Sequence, residues 1–356
     1  MKTIHIVLFG IGNVGSTLIK QIENTQQHLA NRQIKINIPV ITNSHLAFFK
    51  DDGIASSWQT DFEAFSVPYK IQDIIRCIKK KEFKNLIAID ATASSKFIES
   101  YIPLIQNGFH IVSANKIANT LHYEFYRNLR LTLKKYNKQF LYETNVGGGL
   151  PIIETIKSLY DSGENIRTIK GVFSGSLSYI FNTFSSNDIA FSKVLNSATV
   201  LGLTEPDARV DLSGIDVARK LLILARELDL KLELKDVNLE SLVPKQLNGK
   251  TTLAQFNAQK QQLDIPFNNK KAKQTKGEVF RHVAELDVNN KKLEVKLVTV
   301  KKESTLGQLN GTDNVFEIFT DTYKQQPIVI KGSGAGKEVT ARGLLSDVLK
   351  VANNLN

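Results

Sequence analysis

The feature that most constrains the fold lies at the start of the chain. An apolar run, Thr3–Leu8, leads directly into Gly10-Ile11-Gly12-Asn13-Val14-Gly15. Such a run is typical of a parallel strand buried on both faces. Residues Ser16–Gln27 continue at helical spacing, with Val14, Leu18 and Ile22 on one side. Glycines between a strand and a helix allow a tight turn and close approach of backbone to a pyrophosphate. The helix N-terminus adds free N–H groups and a positive dipole end. The letters GxGxxG alone are weak, since an unliganded βα turn can carry them. Opening a βαβ unit, they predict dinucleotide binding, with Gly10, Gly12, Asn13, Val14 and Gly15 at the cofactor.

The alternation continues. Ile36–Thr42 reads as a strand, although Pro39 blurs its limits. Tyr69–Lys80 reads as an amphipathic helix, and Leu86–Thr92 and Phe109–Ser113 as buried strands. The predicted fold class is α/β: a Rossmann-type doubly wound parallel sheet with a second, α+β domain. The expected division is 1–141 for dinucleotide binding, 142–322 for the second domain, and 323–356 as a segment returning to the first. In the second domain Pro151 is expected in the first turn of a helix, and Val279–Val300 in antiparallel strands on a half-exposed sheet. Lys231–Lys276 has no readable periodicity.

A chain of 356 residues suits two domains. Apolar residues make up 42% and charged residues 23%, which fits a soluble globular protein, and no apolar run is long enough to span a bilayer. The single cysteine, Cys77, excludes an intrachain disulfide, and a cytoplasmic location is the default expectation. The net charge is +11, but the basic clusters, Lys79–Lys81, Lys270–Lys276 and Lys291–Lys302, lack interleaved stacking aromatics. They read as solvated surface rather than a nucleic-acid module.

If the ribose 2′-hydroxyl of NAD were to be held, the second strand would end in an acid. Here it ends Ile41-Thr42-Asn43-Ser44. A 2′-phosphate is therefore not repelled; Asn43 and Ser44 can donate to it, and His45 or Lys50 can add charge. The expected cofactor is NADP or NAD, with NADP favoured.

Three candidate groups remain. Glu205, Asp207 and Asp211 crowd the loop before a helix, Asp216–Leu228. Acids so placed cap the helix, bind a cation or hold a cationic ligand such as an ammonium. Ser213 and Asp216 match a capping box. Asp216 and Lys220, four apart, share a helix face; spacing alone supports only a surface ion pair worth about a few tenths of a kcal/mol. Lys116, in Ser113-Ala114-Asn115-Lys116, follows a strand and emerges at the carboxyl edge of the sheet, where ligands bind; a surface lysine would fit equally. Thr92 closes another strand at that edge.

Seven stretches together resemble the homoserine dehydrogenase family, especially the dehydrogenase part of bifunctional aspartokinase–homoserine dehydrogenases. They are IGNVGSTL from Ile11, DATAS from Asp90, SANK from Ser113, YETNVGGGLPIIETI from Tyr142, FSGSLSYIFN from Phe173, GLTEPDARVDLSGIDVARKLLILARE from Gly202 and IVIKGSGAGKEVTARGLLSDVLK from Ile328. They keep the family's order and span nearly the whole chain. Departures are Ala208 and Val210, where the family commonly has proline and aspartate, and Gly148, often alanine. The length leaves room for neither a kinase nor an ACT domain, so threonine feedback through such a domain is not expected.

The resemblance implies interconversion of L-aspartate 4-semialdehyde and L-homoserine, in the synthesis of threonine, methionine and isoleucine from aspartate. It implies Lys220 as acid/base and Lys116 as its assistant at the nicotinamide and substrate oxygen. Glu205 and Asp211 would hold the substrate ammonium, Asp216 would fix Lys220 and the substrate, and Ser176 would contact the substrate. Thr92, Ser113, Lys116, Gly202, Glu205 and Gly336 would join the glycine loop at the cofactor. Carbonyls of Glu143, Val146, Gly148 and Leu150 would bind a monovalent cation, sodium by its preference for hard oxygen ligands; a simple hinge is the alternative. The second domain would be catalytic and mediate a homodimer. A silent cofactor-binding regulator and a basic nucleic-acid-binding protein are the competing classes.

Overall fold

A computed structural model describes residues 1–248 and 251–355. The chain divides into two units, one running from Met1 to Gly149 and resuming from Gly336, the other Leu150–Ala335.

The first unit opens with β1 (Lys2–Phe9), α1 (Asn13–Asn31) and β2 (Ile34–Thr42). There follow β3 (Leu46–Phe49), α2 (Trp58–Phe65), β4 (Val67–Pro68), α3 (Ile71–Lys80), β5 (Leu86–Asp90), α4 (Tyr101–Gln106), β6 (His110–Ser113), α5 (Tyr123–Tyr136) and β7 (Phe140–Leu141). The sheet order is β4-β3-β2-β1-β5-β6-β7, and β1 pairs in parallel with β2 on one side and β5 on the other. Winding therefore reverses at β1, and the carboxyl ends of β1, β2 and β5 border a ligand crevice. Pro39 is absorbed by an irregularity. His5 pairs with Asn37 but Val7 with Val40, so Ile38 and Pro39 together face one residue of β1. A bulge at that point tolerates a residue with no N–H to donate.

The second unit holds α6 (Ile152–Asp161), β8 (Ile166–Val172), α7 (Gly175–Ser186), α8 (Phe191–Val200), α9 (Arg209–Leu212), α10 (Ile215–Glu227), β9 (Val237–Leu239), α11 (Leu253–Gln259), α12 (Asp264–Ala272), β10 (Glu278–Asp287), β11 (Lys292–Lys301), β12 (Asp313–Thr320) and β13 (Ile328–Ser333). Its sheet runs β13-β12-β8-β10-β11-β9, antiparallel except for β11 with β9. The segment 231–276, opaque in sequence, is anchored by aromatics. Phe267 stacks on Phe191 with ring centroids 3.6 Å apart, and Phe256 is 1% exposed.

Three expectations are corrected. β13, expected to return to the first domain, pairs with β12 in the second sheet; only the last helix, α13 (Lys337–Asn353), returns, placing Leu344, Leu345, Val348 and Val351 in the core around Ile4, Ile6 and Leu8. The unit boundaries therefore fall at 149/150 and 335/336 rather than 141/142 and 322/323. Pro151 stands one residue before α6, as its N-cap. The capping box of Ser213 and Asp216 is absent: α9 ends at Ser213, Gly214 follows with φ 72°, and α10 starts at Ile215 with no side-chain cap. The Ser213 hydroxyl instead donates to the Val210 carbonyl (2.7 Å).

Candidate active site

In the first unit the glycines divide into two kinds. A Cβ on Gly15 would lie 1.9 Å from the Gly10 carbonyl oxygen, and one on Gly10, at φ +95°, would lie 2.9 Å from that of Ala91. Those two are required by the turn itself. Around Gly12 a Cβ would meet nothing within 4 Å. Its missing side chain serves no protein contact, so it keeps space open before the N-terminus of α1, whose first turn holds no acid. Gly10 and Gly12 border a cleft of about 660 Å³, lined also by Asn43, Ser44, Tyr69, Lys70, Thr92 and Lys96. A cleft of this size with a glycine-lined helix start fits a dinucleotide.

Of the groups expected at the 2′-position, Asn43 and Ser44 lie in this cleft. The Asn43 side-chain oxygen accepts from the amides of His45 (2.8 Å) and Leu46 (2.7 Å), which fixes the turn after β2. Lys50 is engaged elsewhere, 3.2 Å from Asp61. The cleft's basic groups are instead Lys70 and Lys96, which sequence reasoning missed. Lys70 read as the interior of a helix; the helix begins after it, leaving Lys70 as N-cap at the cleft wall.

The carboxyl ends of β5 and β6 are locked by a buried acid. Asp90, 1% exposed, accepts from the Thr92 amide (2.8 Å), the Tyr101 hydroxyl (2.8 Å) and the Asn115 amide group (3.0 Å). Burial pushes its carboxyl up, opposed by those hydrogen bonds. The only sequence signal for it was a charge closing the apolar run Leu86-Ile87-Ala88-Ile89. Thr92 lines the cleft as expected. The Ser113 side chain does not belong to the cleft surface: it is fully buried, bonded to the Tyr101 hydroxyl (2.7 Å) and accepting from the Asn115 backbone (2.9 Å). Lys116 opens a short 3₁₀ turn, Lys116–Asn119, which Asn115 caps by accepting from Ile117 N (3.1 Å).

The glycine-rich loop after β7 is buried from Glu143 through Gly148. Gly147 and Gly148 take φ 76° and 62°, a left-handed pair. The Glu143 amide donates to Asp347 of α13 (2.9 Å). Its carbonyl accepts from Val146 N (3.2 Å), and the Leu150 carbonyl, across the unit boundary, accepts from Ile152 N (2.9 Å). Gly336, the N-cap of α13, has φ 114°, a conformation for glycine.

In the second unit the turn after β8 gathers the expected substrate residues. At one end the Phe173 carbonyl accepts from the Lys220 ammonium (2.7 Å), which also lies 2.9 Å from Asp216. Lys220 is 8% exposed, while the Asp216 side chain is half-exposed. At the other end Ser176 donates to Asp211 (2.7 Å), whose second oxygen accepts from the Glu205 amide (2.8 Å). Asp211 thus shapes the loop, and the exposed Glu205 side chain is displayed on it. Asp207 does not join this group; Arg209 grips it with Nε and Nη2 (2.6–3.0 Å), and those hydrogen bonds lower its carboxyl from the ordinary value. Gly202, at φ +68°, closes α8 as a left-handed C-terminal residue. No group of three or more His, Cys, Asp or Glu side chains among the described residues could hold a metal ion.

A Rossmann-type parallel sheet with a glycine turn, followed in the same chain by a unit carrying a buried lysine–carboxylate pair, defines the class by its fold: a two-unit protein of the dinucleotide-binding type. Residues 10–143 match the homoserine dehydrogenase NAD-binding domain, and residues 151–349 the homoserine dehydrogenase family. The chain belongs to the homoserine dehydrogenase family.

It is 40% identical over 351 residues to a bifunctional aspartokinase/homoserine dehydrogenase of Buchnera aphidicola, matching 98% of this chain and 43% of that one. It is 38% identical over 357 residues to the chloroplastic bifunctional enzyme of Daucus carota, matching 99% and 39%. The chain thus spans less than half the length of these relatives. A Candida auris protein of unknown function superposes with TM-score 0.90 at 30% identity, covering 99% of each chain. A hyperthermophilic archaeal homoserine dehydrogenase in complex with NADPH shares the fold, with TM-score 0.76 at 20% identity, covering 100% of this chain and 99% of that one. No helix among the described residues is long and apolar enough to cross a membrane.

Proposed function

We propose that this chain interconverts L-aspartate 4-semialdehyde and L-homoserine with NADP or NAD, NADP being favoured, in the synthesis of threonine, methionine and isoleucine. The observation that carries this reading is Lys220, a buried ammonium held between the Phe173 carbonyl and Asp216 beside the Ser176–Asp211 pair. The nicotinamide, when bound, supplies hydride transfer. The chain handles the proton. Lys220 Nζ donates it to the substrate oxygen in reduction and takes it back in oxidation. Lys116 assists at that oxygen from the sheet edge, Glu205 and Asp211 meet the substrate ammonium, and Ser176 orients the substrate. Gly202, Glu205 and Gly336 would border the cofactor on the strength of the resemblance.

NADPH oxidation by the purified chain with aspartate 4-semialdehyde tests the reaction. Intact NADPH binding without turnover would point to a silent regulator, and a salt-dependent shift of nucleic acid at physiological ionic strength to a basic binding protein. Lys70 and Lys96 support the NADP preference. Lys70→Ala should lower the ratio of kcat/KM for NADPH over NADH about tenfold, about 1.4 kcal/mol.

The carbonyls of Glu143, Val146, Gly148 and Leu150 are proposed ligands of a sodium ion. Each carbonyl oxygen has two lone pairs, so the backbone bonds accepted by Glu143 and Leu150 do not by themselves bar a cation. Replacing sodium with tetramethylammonium should lower the melting temperature; an unchanged value would leave the loop as a hinge. A homodimer rests on the resemblance and a cytoplasmic location on the single cysteine, and size-exclusion chromatography with light scattering checks the first.

A further inference from the structure

Lys116 belongs to a turn of four residues, too short to hold its own shape. Both of its ends are held by buried asparagines. At the entry Asn115, 3% exposed, donates to Asp90 (3.0 Å) and to the Ser94 carbonyl (3.0 Å). At the exit Asn119, 1% exposed, donates through Nδ2 to the Asn145 side-chain oxygen (3.0 Å) and accepts from Arg130 (2.9 Å). Asn145 has no exposed surface, and its Nδ2 donates to the Ser113 carbonyl (2.9 Å). Ser113 in turn accepts from the Asn115 backbone at the entry of the turn. The hydrogen bonds therefore close a ring: Ser113 to Asn145, Asn145 to Asn119, back through the turn to Asn115 and Ser113. Asn145 lies in the buried stretch Glu143–Gly148 of the glycine-rich loop, 26 positions along the chain from Asn119.

We infer that Asn119 and Asn145 are positioning residues: their amide pair clamps the Lys116 turn to the glycine-rich loop and fixes where Lys116 stands at the sheet edge. Neither touches the reacting atoms. The physical ground is the cost of a broken clamp. A buried amide that loses its partner must find another by moving, and the shortest movable piece here is the four-residue turn that carries Lys116. This inference rests on the reading that Lys116 acts at the substrate oxygen.

The test is a kinetic cycle on the full chain with NADPH and aspartate 4-semialdehyde, using Asn145→Ala, Lys116→Ala and the double variant, with NADPH affinity measured by fluorescence titration. Asn145→Ala should lower kcat about 10–100-fold, as expected for a catalytic group displaced by about 1 Å, while NADPH affinity stays unchanged. In the Lys116→Ala background the same substitution should lower kcat no further. Wild-type kcat in Asn145→Ala, or an equal loss in both backgrounds, would overturn the clamp and leave the Lys116 reading standing. Wild-type kcat in Lys116→Ala would overturn the Lys116 reading itself. If Asn145→Ala does not fold, Arg130→Lys serves in its place. It keeps the cation over the Tyr126 ring (4.1 Å) but loses the guanidinium nitrogen that reaches both Asn119 Oδ1 and Tyr142. A several-fold fall in kcat that vanishes without Lys116 supports the clamp; no fall, or a fall that persists without Lys116, overturns it.

Discussion

The two lysines proposed for proton handling are held by opposite means. Lys220 sits on a thirteen-residue helix, buried, with its own ammonium bonded to a carboxylate and a carbonyl. Lys116 sits on a four-residue turn, half-buried, and its neighbours Asn115 and Asn119 are held by buried side-chain hydrogen bonds. One lysine stands on a long helix and the other on a short turn whose neighbours are braced by buried amides. A buried ammonium needs a partner to offset desolvation, and a turn of four residues needs contacts from outside itself to keep its shape. The proposed division of labour gives proton transfer to Lys220 and support to Lys116.

The largest expected effect breaks the comparison directly. Lys220→Ala should lower kcat by about 10²–10⁴-fold, the usual worth of a general acid/base, with NADPH affinity retained. A smaller loss there than in Lys116→Ala would reverse the assignment.

Acid stability sharpens it at the level of the two sheets, each of which buries a histidine. His110 on β6 accepts from the Gln139 amide (3.1 Å), while neither ring nitrogen of His282 on β10 has a hydrogen-bond partner among the described residues. Burial pushes both down, from 6.5 to about 4. Both stay neutral in the folded chain while the unfolded chain takes up protons, so the stability tied to them is whole above about pH 6.5 and is lost as pH falls toward 4. Each can account for about 3 kcal/mol across that window. Urea unfolding of His282→Leu at pH 7 and pH 4.5 should show a smaller acid loss than the wild type; an identical loss would mean His282 is not the titrating group.

The glycines give a third, smaller contrast. Gly15→Ala should lower the melting temperature by several degrees, because its Cβ would collide with the Gly10 carbonyl. Gly12→Ala should leave melting unchanged and weaken NADPH binding about tenfold. Unchanged binding would detach the glycine turn from the cofactor. Of similar size, Asp216→Asn keeps the shape of the Lys220 contact but not its charge, and should lower kcat about tenfold, less than loss of the lysine itself.

Much of this was legible in sequence because it is local. A period-two or period-3.6 pattern reports one element and its buried face, so Thr3–Leu8, the glycine turn and the antiparallel strands of Val279–Val300 appear as read, the last as β10 and β11; only β11 is half-exposed, since Val279–Ala284 of β10 is buried throughout. The capping box failed for a local reason that letters do not show: Gly214 takes a left-handed φ and separates two helices. Lys231–Lys276 was unreadable because the contacts that anchor it, Phe267 on Phe191, come from distant sequence.

By itself, the sequence determined the α/β class, the dinucleotide turn, and the residue types gathered around Lys220 and Lys116. Side-chain chemistry and short-range spacing suffice for those. Only the tertiary structure decided that Asp207 belongs to Arg209, that Lys70 rather than Lys50 faces the cleft, that Asp90 locks two strand ends, and that Asn119 meets Asn145. Each is a choice among several possible partners for one polar group, and burial makes the choice: a group removed from water must bond to whatever the packed chain brings beside it.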